Sequence, residues 1–370
     1  MRSHIRAAAI MLSSLLLLAG CKQQWNSNRE ELQVEGKTIT LLNNPEKTSY
    51  EKEEMNAIIR LNDVRGMDWL SDDRILVDRE NREMKPAHAD GGVWYPHNIY
   101  IHALSTGTDV PLLPSGENQG FAQASPDKNK IYYKTFSLQS NTGKGHLMDL
   151  SSGMTTTFTD EDEITLDNGS WIDNDSILYS TIKGTIHELR TDDGKPRQLY
   201  DARTMFPSNL AIFDGSIYYT TLKGSLFAVS SDLKEQSLLL DNAVWMTPSP
   251  DKQRLAIVRR IKSGEAELLI TDLEGKVLYT VAQDSQIFGI AWSPDGTKLA
   301  YAGITSNGTA RGVYVADTST GLSATLALDV KFIADPVRWN PSGDRLMVSS
   351  TLPDEQQSRN RFVTYLVRVR

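Results

Sequence analysis

Two histidines and an aspartate, His88, Asp90 and His97, stand close together in one polar stretch, with Trp94 and Tyr95 between them. Neutral imidazoles and a carboxylate at such spacing could converge on a divalent metal. The plainer reading is a polar loop that contains two histidines by chance, and no metal and no cofactor is assigned to it. Trp94 and Tyr95 suit a contact surface, because aromatic side chains are enriched where proteins meet. His88, Asp90, Trp94, Tyr95 and His97 are therefore read together as a candidate partner-binding loop. His102, His146 and His187 fall singly in or beside strand-like segments. The acids Asp160, Glu161, Asp162 and Glu163 lack the Asp-x-Asp-x-Asp-Gly spacing of a calcium loop and read as a solvated segment. Cys21 is the one cysteine, so an intramolecular disulfide, and any cysteine-ligated metal or thiol nucleophile beyond Cys21, are excluded. Gly-x-Ser-x-Gly, phosphate-loop and dinucleotide glycine patterns are absent. No catalytic residue emerges from this reading.

The elements that must position these residues repeat. Ile290 to Tyr301 reads Ile-Ala-Trp-Ser-Pro-Asp-Gly-Thr-Lys-Leu-Ala-Tyr, and its outline returns at Trp339–Leu346, Ser249–Leu255 and Ala124–Tyr133. Looser copies start at Trp69, Trp171 and Phe213. Ser-Pro-Asp-Gly suits a type I turn, with proline fixing φ at the second position and glycine free at the fourth. Apolar and β-branched runs flank it, and a third and fourth strand follow in most copies, as in Gly312–Asp317. The anchors recur about every 45 residues, the length of a four-stranded propeller blade. The sequence thus predicts an all-β chain: a single β-propeller of seven four-stranded blades. Trp69, Trp171, Trp292 and Trp339 share one repeat position and are assigned to packing between blades. The last copy lacks an outer strand; Lys37–Leu42 is expected to supply it, so that an N-terminal strand closes the ring and covers an edge. Segments 79–97, 134–144 and 352–361 read as long second-to-third-strand loops. They share one face with the blade linkers, including 159–167. Any binding site is expected on that face or at the channel mouth.

Composition sets further limits. At 39% hydrophobic the chain can build a core, and its net charge of −8 disfavours nucleic acid and anionic headgroups as partners. Arg2 and Arg6 precede an uncharged run, Ala7 to Gly20, which is too short for a bilayer core of about 30 Å and suits a secretion signal. Leu18-Ala19-Gly20-Cys21 closes that run and resembles the lipobox of bacterial lipoproteins. The resemblance implies a signal peptide over 1–20, a diacylglyceryl thioether on Cys21 and a flexible tether over 21–36. The propeller would follow over 37–370. The Trp-Ser-Pro-Asp-Gly-x-Lys-Leu-Ala-Tyr string resembles the TolB-type β-propeller repeat. Together these imply a lipid-anchored protein on the extracytoplasmic side, at the outer membrane if the cell has two. Its partners would be the lipid bilayer and another envelope protein or polymer, with no nucleic acid. The expected role is a non-enzymatic binding or scaffold module. The alternative is a small propeller hydrolase or lyase with a metal at the channel mouth.

Overall fold

A computed structural model describes residues 29–34, 37–42, 58–89, 92–137, 141–159, 164–305, 311–326, 333, 335–354 and 359–369. Cys21, Asp90 and the acids 160–163 lie outside the described residues. The chain divides into two units, Met1–Lys52 and Glu53–Arg370. Within the first, Arg29–Val34 pairs antiparallel with Lys37–Leu42.

The second unit is a ring of seven antiparallel sheets, a seven-bladed β-propeller. Blades 1 to 7 start with the inner strands Arg65–Trp69, Asn118–Ala124, Ser170–Trp171, Ser208–Phe213, Ala243–Pro248, Gln286–Trp292 and Arg338–Trp339. Blades 1 to 6 each add three more strands in chain order, and in blade 2 Ile164–Thr165 also pairs with Thr142–Asp149. Blade 7 contributes Arg338–Trp339, Arg345–Asp354 and Arg359–Arg368, and its outer strand is Ile58–Asn62. The ring is closed by an N-terminal strand, as expected, but the strand is Ile58–Asn62 and not Lys37–Leu42. Pairing runs from Ile58↔Val367 to Asn62↔Val363. The physical reason is the linkage: Asn62 is separated from Arg65 by two residues, the first of them Asp63 at φ 59°. An outer strand thus leads into the next inner strand here just as Gln236–Leu240 leads into Ala243–Pro248.

The recurring tryptophans lock neighbouring blades. The indole Nε1 of Trp171 donates to Gln123 O at 3.1 Å, that of Trp292 to Thr247 O at 3.3 Å and that of Trp339 to Ala291 O at 3.1 Å. Trp69 donates to Arg338 O at 3.2 Å and so carries the same contact across the closure. Buried aliphatics fill the spaces between blades; Met67, Leu76 and Ile99 of blade 1 meet Ala122, Ile131 and Met148 of blade 2. Each such leucine, isoleucine or methionine is worth about 1.5–3 kcal/mol in burial.

The Ser-Pro-Asp turns close as read. Gly296 N donates to Ser293 O and Lys128 N to Ser125 O, both at 2.9 Å. Gly296 has φ 70°, and Lys128 is held at φ 63° in the same place. A Cβ in the left-handed region costs about 1 kcal/mol. Lys128→Gly is therefore expected to stabilise the ring by up to about 1 kcal/mol, read as a higher thermal midpoint. An unchanged or lower midpoint would contradict the strain argument.

Strands run further than the sequence patterns suggested. The second strand of blade 2 continues through Lys130–Phe136 and the third resumes at Thr142, so the expected 134–144 loop shrinks to a short connection. The 79–97 insertion folds in part as a small hairpin, Ala87–Ala89 with Gly92–Trp94.

Candidate functional site

The inner strands surround a channel cavity of about 830 Å³, within the range of ligand pockets. Phe121, Asp167, Asp335 and Arg338 line it. These residues lie at the end where blades begin and where the second-to-third-strand connections gather. That is the face singled out from the loop lengths.

Arg65 organises one wall. It starts the inner strand of blade 1 and is buried. Its Nε and Nη2 donate to the two carboxylate oxygens of Asp335 at 2.7 and 2.5 Å, a bidentate pair from blade 1 to the blade 6–7 linker. Asp78 lies 3.9 Å from its Nη1. Burial works against the guanidinium charge, but Asp335 and then Asp78 outweigh it and hold its pKa above the ordinary value. The guanidinium also stacks on Phe121 at 4.1 Å and on Phe362 at 5.3 Å. Phe121 sits at a bulge in the inner strand of blade 2, between Gly120 and Gln123, at φ 54°. Bulges re-aim side chains, and a phenylalanine in this region is held there at a cost of about 1–2 kcal/mol.

Lys134 stands behind the same ring. It lies in the second strand of blade 2 and is fully buried. Its Nζ makes no hydrogen bond among the described residues. The amine sits 4.4 Å from the centre of the Tyr132 ring and 5.9 Å from that of Phe121. Burial lowers its pKa, Asp167 pulls the other way, and Arg65 and Arg338 add to the fall, leaving it at about 7. Near neutral pH a large share of this amine is therefore a free base. Arg338, half-buried on the channel wall, meets no acceptor or counter-ion among the described residues.

A third group adjoins this wall. His97 starts the third strand of blade 1, and its Nδ1 lies 2.8 Å from Asp78 Oδ1. Its ring meets Phe362 edge-on at 6.1 Å. Of the candidate loop residues whose side chains are described, His97 joins the cluster around Arg65, Asp78 and Phe362. Tyr95 is half-buried with Arg82 over its ring at 6.0 Å, and Trp94 is half-buried. His88 pairs by its backbone with Val93 in the small hairpin. The other histidines have packing roles. His146 is held between Thr135 and Thr157, and burial, with Lys144 adding to it, lowers its pKa to about 4. His102 binds Asp109 at 2.7 Å, and His187 stacks on Tyr179.

Arg65, Lys134, Asp167, Asp335 and Arg338 were not singled out in the sequence. They come from blades 1, 2 and 7 and two linkers, and no short motif joins them. An apolar strand interrupted by one lysine, Ile131-Tyr132-Tyr133-Lys134-Thr135-Phe136, was the only available signal.

The sequence matches no protein-family model and no curated protein. Among solved structures the chain is similar to an oligogalacturonate lyase in complex with manganese, with TM-score 0.61 and 13% identity over 92% of this chain and 96% of that one. It is similar also to an oligogalacturonate lyase from Vibrio parahaemolyticus, with TM-score 0.60 and 11% identity over 86% and 98% of the two chains. TolB from Acinetobacter baumannii gives TM-score 0.46 and 16% identity over 80% and 65%. At these identities the likeness shows the propeller fold, and the TolB-type repeat stays a resemblance. The expectation of a non-enzymatic scaffold is nonetheless overturned, because whole-length neighbours of this ring are lyases. That expectation rested on the absence of hydrolase and thiol signatures. It took no account of an amine and guanidinium groups gathered by the ring.

Proposed function

We propose that the protein is a lyase that cleaves acidic oligosaccharides by β-elimination at the channel mouth. One observation carries the reading: Arg338, on the channel wall and without a counter-ion among the described residues, lies within electrostatic reach of a buried amine whose pKa is near neutrality. Elimination from a uronic acid needs two groups of this kind. The proton on the carbon next to the carboxylate becomes acidic only when the carboxylate charge is countered, and a base of matched pKa must then remove it. Arg338 is the group to pair with the substrate carboxylate, since Arg65 is already committed to Asp335. The C5 proton is assigned to Lys134 Nζ, which lies behind the channel-lining ring of Phe121. The C5–H electron pair forms the C4–C5 double bond, and the C4–O bond breaks with its electrons going to the departing sugar oxygen. Oligogalacturonate is the substrate class named for the similar structures, and it has this chemistry.

One of those similar structures holds manganese. Among the described residues no three histidine, cysteine, aspartate or glutamate side chains converge as metal ligands. The described residues do not fit such an ion, and no step is routed through one.

The test is a comparison of free and methyl-esterified oligouronides, followed by the ultraviolet absorbance of the unsaturated sugar end. The free acids should be cleaved far faster than the esters. Arg338→Gln should lower kcat/KM on the free acids by about 10²–10³, as for loss of one group that stabilises developing negative charge. Equal rates on acid and ester, or an unaffected Arg338→Gln protein, would contradict the assignment.

A further inference from the structure

Resting on the lyase reading, the geometry points to His97 as the group that protonates the departing sugar oxygen, with Asp78 holding its ring in place. A glycosidic oxygen leaving as an alkoxide is a poor leaving group, so an acid matched to the working pH speeds the step. The imidazole is placed for this by three contacts. Nδ1 is tied to Asp78 Oδ1 at 2.8 Å, the backbone N of His97 donates to Asn118 Oδ1 at 3.1 Å, and the ring edge rests on Phe362. With Nδ1 occupied, Nε2 is the nitrogen left to give a proton to a ligand, and it meets no partner among the described residues. A carboxylate on one ring nitrogen fixes the tautomer and the orientation of the ring.

The charged groups around the dyad are Arg65, 3.9 Å from Asp78, and Glu80, which is paired with His97 across the two strands. Arg65 stacks on both Phe121 and Phe362; Lys134 lies by the first ring and His97 by the second, so the three belong to one cluster. An elimination is served by a base for the C5 proton and an acid for the leaving oxygen. The balance closes. The C5 proton moves to Lys134, the Nε2 proton moves to the leaving oxygen, and exchange with solvent restores both groups.

The experiment uses the whole chain with two uronide substrates. One is a natural oligouronide. The other is a uronate carrying 4-nitrophenoxide at C4, which departs without a proton. His97→Ala should lower kcat on the oligouronide by at least about 10²-fold and leave the nitrophenoxide substrate within a few-fold of the unaltered protein. His97→Gln, with the same reach, should behave alike and serves if the alanine variant folds poorly. An equal loss on both substrates would make His97 structural, and no loss on either would make it idle; both results overturn the inference and leave the lyase reading standing. If the unaltered protein forms no unsaturated product from either substrate, the lyase reading falls and His97 loses its role with it.

Discussion

Lys134→Met is expected to remove activity and stabilise the protein in the same variant. Loss of a general base costs about 10²–10⁴ in rate. An unpaired buried polar group costs the fold about 1–3 kcal/mol, and methionine has nearly the same shape without that burden. The pH dependence of stability gives a second signature. In the folded state the amine titrates at about 7, against 10.5 for the ordinary lysine. Between those values the unfolded chain holds a proton that the folded chain does not. Raising the pH removes that proton from the unfolded state only, so stability rises across the interval and the penalty is full below pH 7. Lys134→Met should remove this rise. Urea melts of both proteins from pH 7 to pH 10 check it, beside activity assays. A variant that is inactive but destabilised, with the pH slope unchanged, would mean that Lys134 is charged and structural.

Removal of the closing strand should have the largest effect on stability. Deleting residues 1–62 takes away Ile58–Asn62, uncovers the edge of Arg359–Arg368 and strips Leu61 from the cluster around Val64, Trp69, Met347 and Leu366. Five paired residues with hydrogen bonds worth about 1 kcal/mol each set a loss of about 3–5 kcal/mol, a large part of a typical stability of 5–15 kcal/mol. Deleting residues 1–52 should cost little of this, because Lys37–Leu42 has its partner in Arg29–Val34 and the pairing within Glu53–Arg370 stays whole. Calorimetry of the two truncations decides it. Equal melting of the 1–62 deletion and the full chain would contradict closure by Ile58–Asn62.

The contrast between these strands shows what the sequence could reveal. The turns were legible because they are local: Ser293-Pro294-Asp295-Gly296 carries its own geometry, and the tryptophan before it marks the blade interface. The closing strand was not. Lys37–Leu42 and Ile58–Asn62 both have strand character, and which of them meets residues 359–368 depends on a pairing some three hundred positions away. The site was hidden for a similar reason. Arg65, Lys134 and Arg338 mean nothing singly, and Lys134 was counted as the start of a loop that is a buried strand. His97 was noticed for its neighbours His88 and Asp90, yet its partner in the fold is Asp78, on the preceding strand. The lipobox reading of Cys21 lies outside the described residues.

Elimination and hydrolysis are separated by the fate of the glycosidic bond in water enriched in ¹⁸O. An oligogalacturonate or related oligouronide digested by the protein should give a fragment with a C4–C5 double bond and no ¹⁸O in either product. Cleavage that places ¹⁸O at the new ends without the double bond would show hydrolysis. No cleavage of any acidic oligosaccharide would contradict the account altogether.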